Sequence, residues 1–143
     1  MQHVKITIPS LMENIRIVES FIDNSKDRFH IDDDIYGNIM VAVTESVNNA
    51  IRHGNKFDKD KNVHLRLSVE PATLRFEIED EGAGFDYDNL PDPTAPENIE
   101  NPGGRGIFLI HALADEVTFL DQGRRVQLVF RVPATAAATM NVA

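Results

Sequence analysis

The 143-residue chain has no cysteine. It therefore has no disulfide, no thiolate nucleophile and no zinc–thiolate site. No apolar run approaches the ~18 residues a membrane-spanning helix needs. The start, Met1-Gln2-His3-Val4-Lys5-Ile6, has neither the charged opening nor the apolar block of a secretory signal. These absences predict a cytoplasmic protein with no membrane partner. Positive charge is also scarce. Fourteen Lys and Arg face 23 Asp and Glu, a net charge of −9. That balance argues against nucleic acid as a direct partner, because neutralising phosphates takes a basic face. From Phe76 to Gly104 there is no Lys or Arg at all. Several catalytic signatures are missing as well. There is no Gly-x-x-x-x-Gly-Lys-Ser/Thr loop and no Gly-x-Ser-x-Gly elbow. His3, His30, His64 and His111 show no ligand spacing.

The patterns that are present give one domain over residues 1–133. Val4, Ile6 and Ile8 alternate with polar residues as a first strand. Ser10 and Glu13 read as a capping box for a helix over about residues 11–25, with Leu11, Ile15, Val18 and Ile22 at helical spacing. Asp32, Asp33 or Asp34 can cap a second helix, whose apolar face is Ile35, Ile39, Val43 and Val47 and whose stop is Gly54. Val63 to Val69 and Leu74 to Ile78 alternate around Pro71-Ala72-Thr73, as an antiparallel pair. Residues 82–104 break every period and read as a lid. A helix from Gly106 to Ala114 follows, then a hairpin around Asp121-Gln122-Gly123. Residues 134–143 are Ala- and Thr-rich and read as a loose tail. The expected fold is an α+β two-layer sandwich, a mostly antiparallel sheet with helices on one face.

Three motifs carry the chemistry. Glu45 and Asn49, four apart on the second helix, project from one face. Asn offers a neutral oxygen to a hard cation such as Mg²⁺. Glu is then free to accept a proton from an attacking hydroxyl. A plain solvated helix face would look the same, except that Asn48-Asn49 is a poor choice for a helix interior. Asp80 ends a strand whose other members face the core, and Gly82 and Gly84 follow it. A carboxylate there can accept the exocyclic amine proton of adenine while the glycines let a ligand approach the backbone. The plainer alternative is a β-turn. Gly103-Gly104-Arg105-Gly106 opens a helix, so free N–H groups and the positive helix end face any phosphate placed there. A glycine hinge is the alternative. The glycines follow a long loop rather than a strand, so a Rossmann unit does not fit. His53 and Lys56 are weaker candidates for the border of the same site.

These motifs, in this order, resemble the GHKL ATP-binding fold of gyrases and histidine kinases, over about residues 5–132. Glu45 to Asn49 looks like its N box, Asp80 to Gly84 like its Asp-x-Gly-x-Gly box, and Gly104-Arg105-Gly106 like its second glycine box. The chain has no room for a kinase dimerisation helix pair or for gyrase domains. A freestanding unit of this kind is similar to the bacterial anti-sigma factor serine/threonine kinases. The resemblance implies ATP and Mg²⁺ as cofactors and phosphorylation of an anti-anti-sigma protein. A sigma factor is a further implied partner. It makes Glu45 the general base, Asn49 the Mg²⁺ ligand and Asp80 the adenine reader. Gly82, Gly84, Gly104 and Gly106 then shape the adenine pocket and phosphate lid, with Arg105 near the phosphates. Many relatives pair through the sheet edge or first helix, so a homodimer is also expected. Two other classes fit the motifs: a nucleotide-gated binding module without catalysis, and a stand-alone ATPase. One departure is that the last strand, Arg125 to Phe130, has no Thr where many relatives carry one.

Overall fold

The structure is a computed structural model that describes residues 2–83 and 102–132, with 102–105 described by backbone alone. The segment expected to form the lid, the Gly84 position and the expected tail lie outside the described residues, in whole or in large part. The elements run β1 (Gln2–Pro9), α1 (Ile15–Phe29), α2 (Asp33–Asn49), β2 (Asn62–Glu70), β3 (Thr73–Glu79), α3 (Pro102–Leu113), β4 (Glu116–Leu120) and β5 (Arg125–Arg131). The sheet order is β1-β2-β3-β5-β4, and every neighbouring pair is antiparallel. The α+β sandwich is therefore the observed architecture. No described helix is long and apolar enough to cross a membrane.

Strand alternation decides which face the helices cover. Val63, Leu65, Leu67 and Val69 of β2, Leu74, Phe76 and Ile78 of β3, and Val126, Leu128 and Phe130 of β5 are buried. They meet Val18, Phe21 and Ile22 of α1, Ile39, Val43 and Val47 of α2, and Ile110 of α3 in one cluster. The rings of Phe76 and Phe130 cross edge to face at 5.9 Å and 86°. The opposite sheet face carries Lys5, His64, Arg66, Glu77, Glu79 and Arg125 around an open cleft.

Two helix boundaries differ from the sequence expectation. Ser10 does not cap α1. Its hydroxyl donates to the Lys61 carbonyl at 2.5 Å, the residue is fully buried, and Met12–Asn14 forms a 3₁₀ turn before the α-helix. A long-range tie has taken the residue that local capping would use. The third helix starts at Pro102, so Gly103 and Gly104 lie within its first turn rather than ahead of it. Asp32 takes the N-cap position of α2 without a side-chain cap bond, while Asp33 and Asp34 sit in the first turn, where negative charge suits the helix dipole.

Phe76 has no exposed surface and anchors the centre of the core. Replacing it with Ala should destabilise the fold by about 3–5 kcal/mol in urea unfolding, whereas Ile17→Ser on the outer side of α1 should change it by less than about 0.5 kcal/mol.

Candidate functional site

The site forms where the C-terminal half of α2 meets the end of β3. Asp80 is the next inward position after Leu74, Phe76 and Ile78, so strand alternation carries its carboxylate toward the core; it is 4% exposed. Its backbone N–H donates to the Arg124 carbonyl at 2.8 Å, extending the β3–β5 ladder by one bond. Its Oδ1 accepts the Gly82 N–H at 2.8 Å. Burial raises the Asp80 pKa, and the Gly82 N–H and the Arg124 and Lys61 charges offset that only in part.

The chain after α2 supplies the space for this acid. Residues Ala50–Gly54 form a π-helical turn, closed by the Asn55 N–H donating to the Ala50 carbonyl at 2.8 Å. Such turns occur mostly as single interruptions of helices, often at functional sites. Here the turn lays the Gly54 backbone directly against the Asp80 carboxylate. A Cβ on Gly54 would overlap the Asp80 Oδ2, and a Cβ on Gly82 would overlap the Gly54 carbonyl oxygen. Two chain segments, residues 50–54 and 80–82, therefore meet at a place where only glycine fits.

A pocket opens beside this contact. Ser46, Asn49 and Ala50 of α2, Ile78 and Asp80, Ile110 of α3, Phe119 of β4 and the Gly123–Arg124 turn line it. It has about 10 Å³ of free space, room for one water. Asn49 is 7% exposed and its Nδ2 has no hydrogen-bond partner among the described residues. A buried amide group without a partner costs free energy that a bound ligand recovers. Glu45 is half-buried one turn earlier on α2. Gly106 of α3 faces both: a Cβ there would lie 2.8 Å from Glu45 Oε2 and 3.7 Å from Asn49 Oδ1. So α3 approaches the Glu45–Asn49 pair through a position without a side chain.

The donor set fits a small hard cation held with phosphate oxygens, because one carboxamide and one carboxylate stand together and no cluster of three or more His, Cys, Asp or Glu exists among the described residues to form a protein cage. The structure brings together Glu45, Asn49, Asp80, Gly82 and Gly106. Gly104 and Arg105 are described by backbone only, in the first turn of α3. His53 and Lys56 are exposed on the loop after α2 and are not part of the pocket wall. Sequence reasoning took Gly54 only as a helix stop and missed Asn55, Ser46 and Phe119. The usable signal was the acid at Asp80: an inward-facing carboxylate needs a neighbour without a side chain.

Residues 8–130 match the family model for the histidine kinase-like ATPase domain. The serine-protein kinase RsbW of Bacillus subtilis (strain 168) is 27% identical over 121 residues, covering 80% of this chain and 76% of that one. The serine-protein kinase RsbW of Staphylococcus epidermidis is 26% identical over 135 residues, covering 89% and 85%. Among solved structures, the RsbU and RsbW domains of Rv1364c from Mycobacterium tuberculosis superpose with a TM-score of 0.67 at 18% identity. That match covers 94% of this chain, which spans 34% of the other. With the family model covering most of the sequence and the fold matching, the chain belongs to the histidine kinase-like ATPase domain family.

Proposed function

We propose that this protein is a Mg-ATP-dependent serine/threonine kinase that acts as an anti-sigma factor and phosphorylates an anti-anti-sigma protein. The observation that carries this reading is the meeting of Glu45 and Asn49 beneath Gly106, beside the buried Asp80. The names of the relatives support the choice of a serine acceptor.

In this reading Asp80 accepts the adenine amine proton and fixes the base. The free space in the pocket is smaller than a purine base, so in this reading base binding requires its walls, formed by α3 and the β4–β5 turn, to move apart. Asn49 would hold Mg²⁺, whose contribution when bound is to neutralise charge on the phosphates. Glu45 accepts the proton of the acceptor hydroxyl. The freed oxygen forms a bond to the γ-phosphorus as the bond from that phosphorus to the β–γ bridging oxygen breaks, and ADP leaves. Gly104, Gly106 and the uncovered N–H groups of the first turn of α3 face the transferring phosphoryl group, with Arg105 adjacent.

Glu45→Ala should lower phosphoryl transfer from labelled ATP to the acceptor protein by about 10²–10⁴-fold. Its ATP affinity, read by calorimetry, should stay within about twofold of the parent. A variant that transfers phosphate at the parental rate would remove Glu45 as the base.

Asp80→Asn should act in opposite directions on binding and on stability. It removes the carboxylate that accepts from adenine, so ATP binding falls by about tenfold or more. The raised pKa of Asp80 means that the folded chain holds this proton more tightly than the unfolded chain. That contribution stabilises the fold below the ordinary value of 3.8 and is lost as pH rises through the folded-state pKa. At pH 7 the ionised carboxylate is a burden on the nucleotide-free protein. Thermal unfolding of nucleotide-free Asp80→Asn should therefore occur at a higher temperature than for the parent at pH 7, with the gain shrinking toward pH 4. Equal melting temperatures at both pH values would contradict the assignment of burial as the dominant effect.

A further inference from the structure

Strand alternation turns Asp80 inward and the Gly82 N–H bonds its carboxylate, but the acid stands at the very end of the ladder. The β3–β5 ladder ends at Glu79 and Arg125, and only the Asp80 N–H bond to Arg124 follows. Burial disfavours the ionised carboxylate, and the next but one residue is a glycine. A strand end of this kind relaxes by turning the acid out to water. A restraint on the residue after it would add to these bonds.

We propose that Asn55 is a positioning residue for nucleotide selection, acting through Glu81 to hold Asp80 in the pocket. The inference rests on the reading of Asp80 as the group that accepts from adenine. Asn55 is 2% exposed, and every polar atom of its carboxamide is engaged. Its Oδ1 accepts the Glu81 N–H at 2.8 Å. Its Nδ2 donates to Ser10 Oγ at 2.7 Å and to the Asn62 carbonyl at 3.0 Å. The Glu81 side chain is held on the outer side, where Oε1 accepts the Asn62 N–H at 2.9 Å and Oε2 pairs with His64 Nε2 at 2.9 Å. With Glu81 fixed outward at both its backbone and its carboxylate, chain alternation leaves Asp80 only the inward direction.

The position of Asn55 gives the restraint its reach. It follows Gly54 on the same π-helical turn, and the Gly54 backbone lies against the Asp80 carboxylate. One dipeptide thus makes room for the acid and grips the residue after it. The residue type is equally constrained. The site needs one acceptor toward an N–H and donors toward a carbonyl and a hydroxyl, at the reach of a short side chain. Asn supplies both, whereas Asp has no donor when ionised and Ala has neither group. Ser10 belongs to the same network but touches only the donor side of Asn55.

The test compares ATP with inosine triphosphate, which carries a carbonyl oxygen in place of the adenine amine. Binding of each is measured by calorimetry on the full chain with Mg²⁺, alongside thermal unfolding. The parent should prefer ATP by about tenfold or more, and Asp80→Asn should abolish the preference. Asn55→Ala should reduce the ATP-to-inosine triphosphate ratio by about tenfold as well. Ser10→Ala should lower the melting temperature while keeping the parental ratio, because a loss of stability alone weakens both nucleotides equally. If Asn55→Ala is too unstable to measure, trimethylamine N-oxide restores the folded population. Asn55→Ser, whose hydroxyl stops short of the Glu81 N–H, then gives the same reading. A parental ratio in the Asn55 variants, with the ratio lost in Asp80→Asn, would overturn the positioning role alone. A parental ratio in Asp80→Asn would overturn the reading of Asp80 on which it rests.

Discussion

The architecture of the site depends on one steric constraint: the Asp80 carboxylate, the Gly54 backbone and Gly82 occupy a space in which no Cβ fits. This contact fixes how far the end of α2 lies from the end of β3. Between Asn49 and Gly54 there is only one π-helical turn, which has little freedom once its far end is seated. Seating Gly54 therefore also sets the height and rotation of Asn49, and with it Glu45 one turn earlier. A side chain at Gly54 would act on the acid directly and on the α2 pair indirectly.

The core provides the stability that lets the site keep unfavourable features. A buried carboxylate with a raised pKa and a buried amide nitrogen without a partner among the described residues both oppose folding. They sit at the rim of a cluster in which Phe76, Leu67, Leu128 and Ile39 have no exposed surface. Burying a side chain of this size is worth roughly 1.5–3 kcal/mol, so a few such residues outweigh the two costs. The same logic explains why the polar network around Asn55 is fully paired. It lies equally deep, but its groups bond one another rather than a ligand. Unpaired groups mark where something binds, and paired ones mark what holds the shape.

Much of this was legible from the chain. Alternation gave the four central and terminal strands their inward residues, and it carried Asp80 inward with them. The four-residue spacing gave the shared face of Glu45 and Asn49. What escaped was long-range. Ser10 reads locally as a helix cap because Glu13 follows at the right distance, yet its partners are Lys61 and Asn55, far along the chain. Asn55 bonds the N–H of a residue 26 positions away. No period or local motif encodes such a tie, because each end looks like an ordinary loop residue until the fold brings the other to it. Gly54 was visible as a glycine after a helix, which is also what a plain C-terminal stop looks like. Its second role needs the position of Asp80, which only the sheet supplies.

Free volume alone points to a different place. The larger opening, about 380 Å³, lies on the helix-free face of the sheet among Lys5, His64, Arg66, Glu77, Glu79 and Arg125. Some of its side chains are held in ion pairs. Arg125 reaches Glu77 at 3.5 Å and Asp121 at 3.4 Å, and His64 reaches Glu81 at 2.9 Å. Such half-exposed pairs contribute little to stability. The small pocket has the opposite character. It is largely apolar around Ile78, Ile110 and Val126, and its wall includes one buried acid and one amide without a partner among the described residues. An apolar wall with a few convergent polar groups is what a flat heterocycle requires, and the narrowness follows from packing α3 onto α2 through Gly106. Ile110 of the pocket wall and Gly106 beside Glu45 lie one turn apart on α3, so the pocket and the α2 pair share one helix as their boundary.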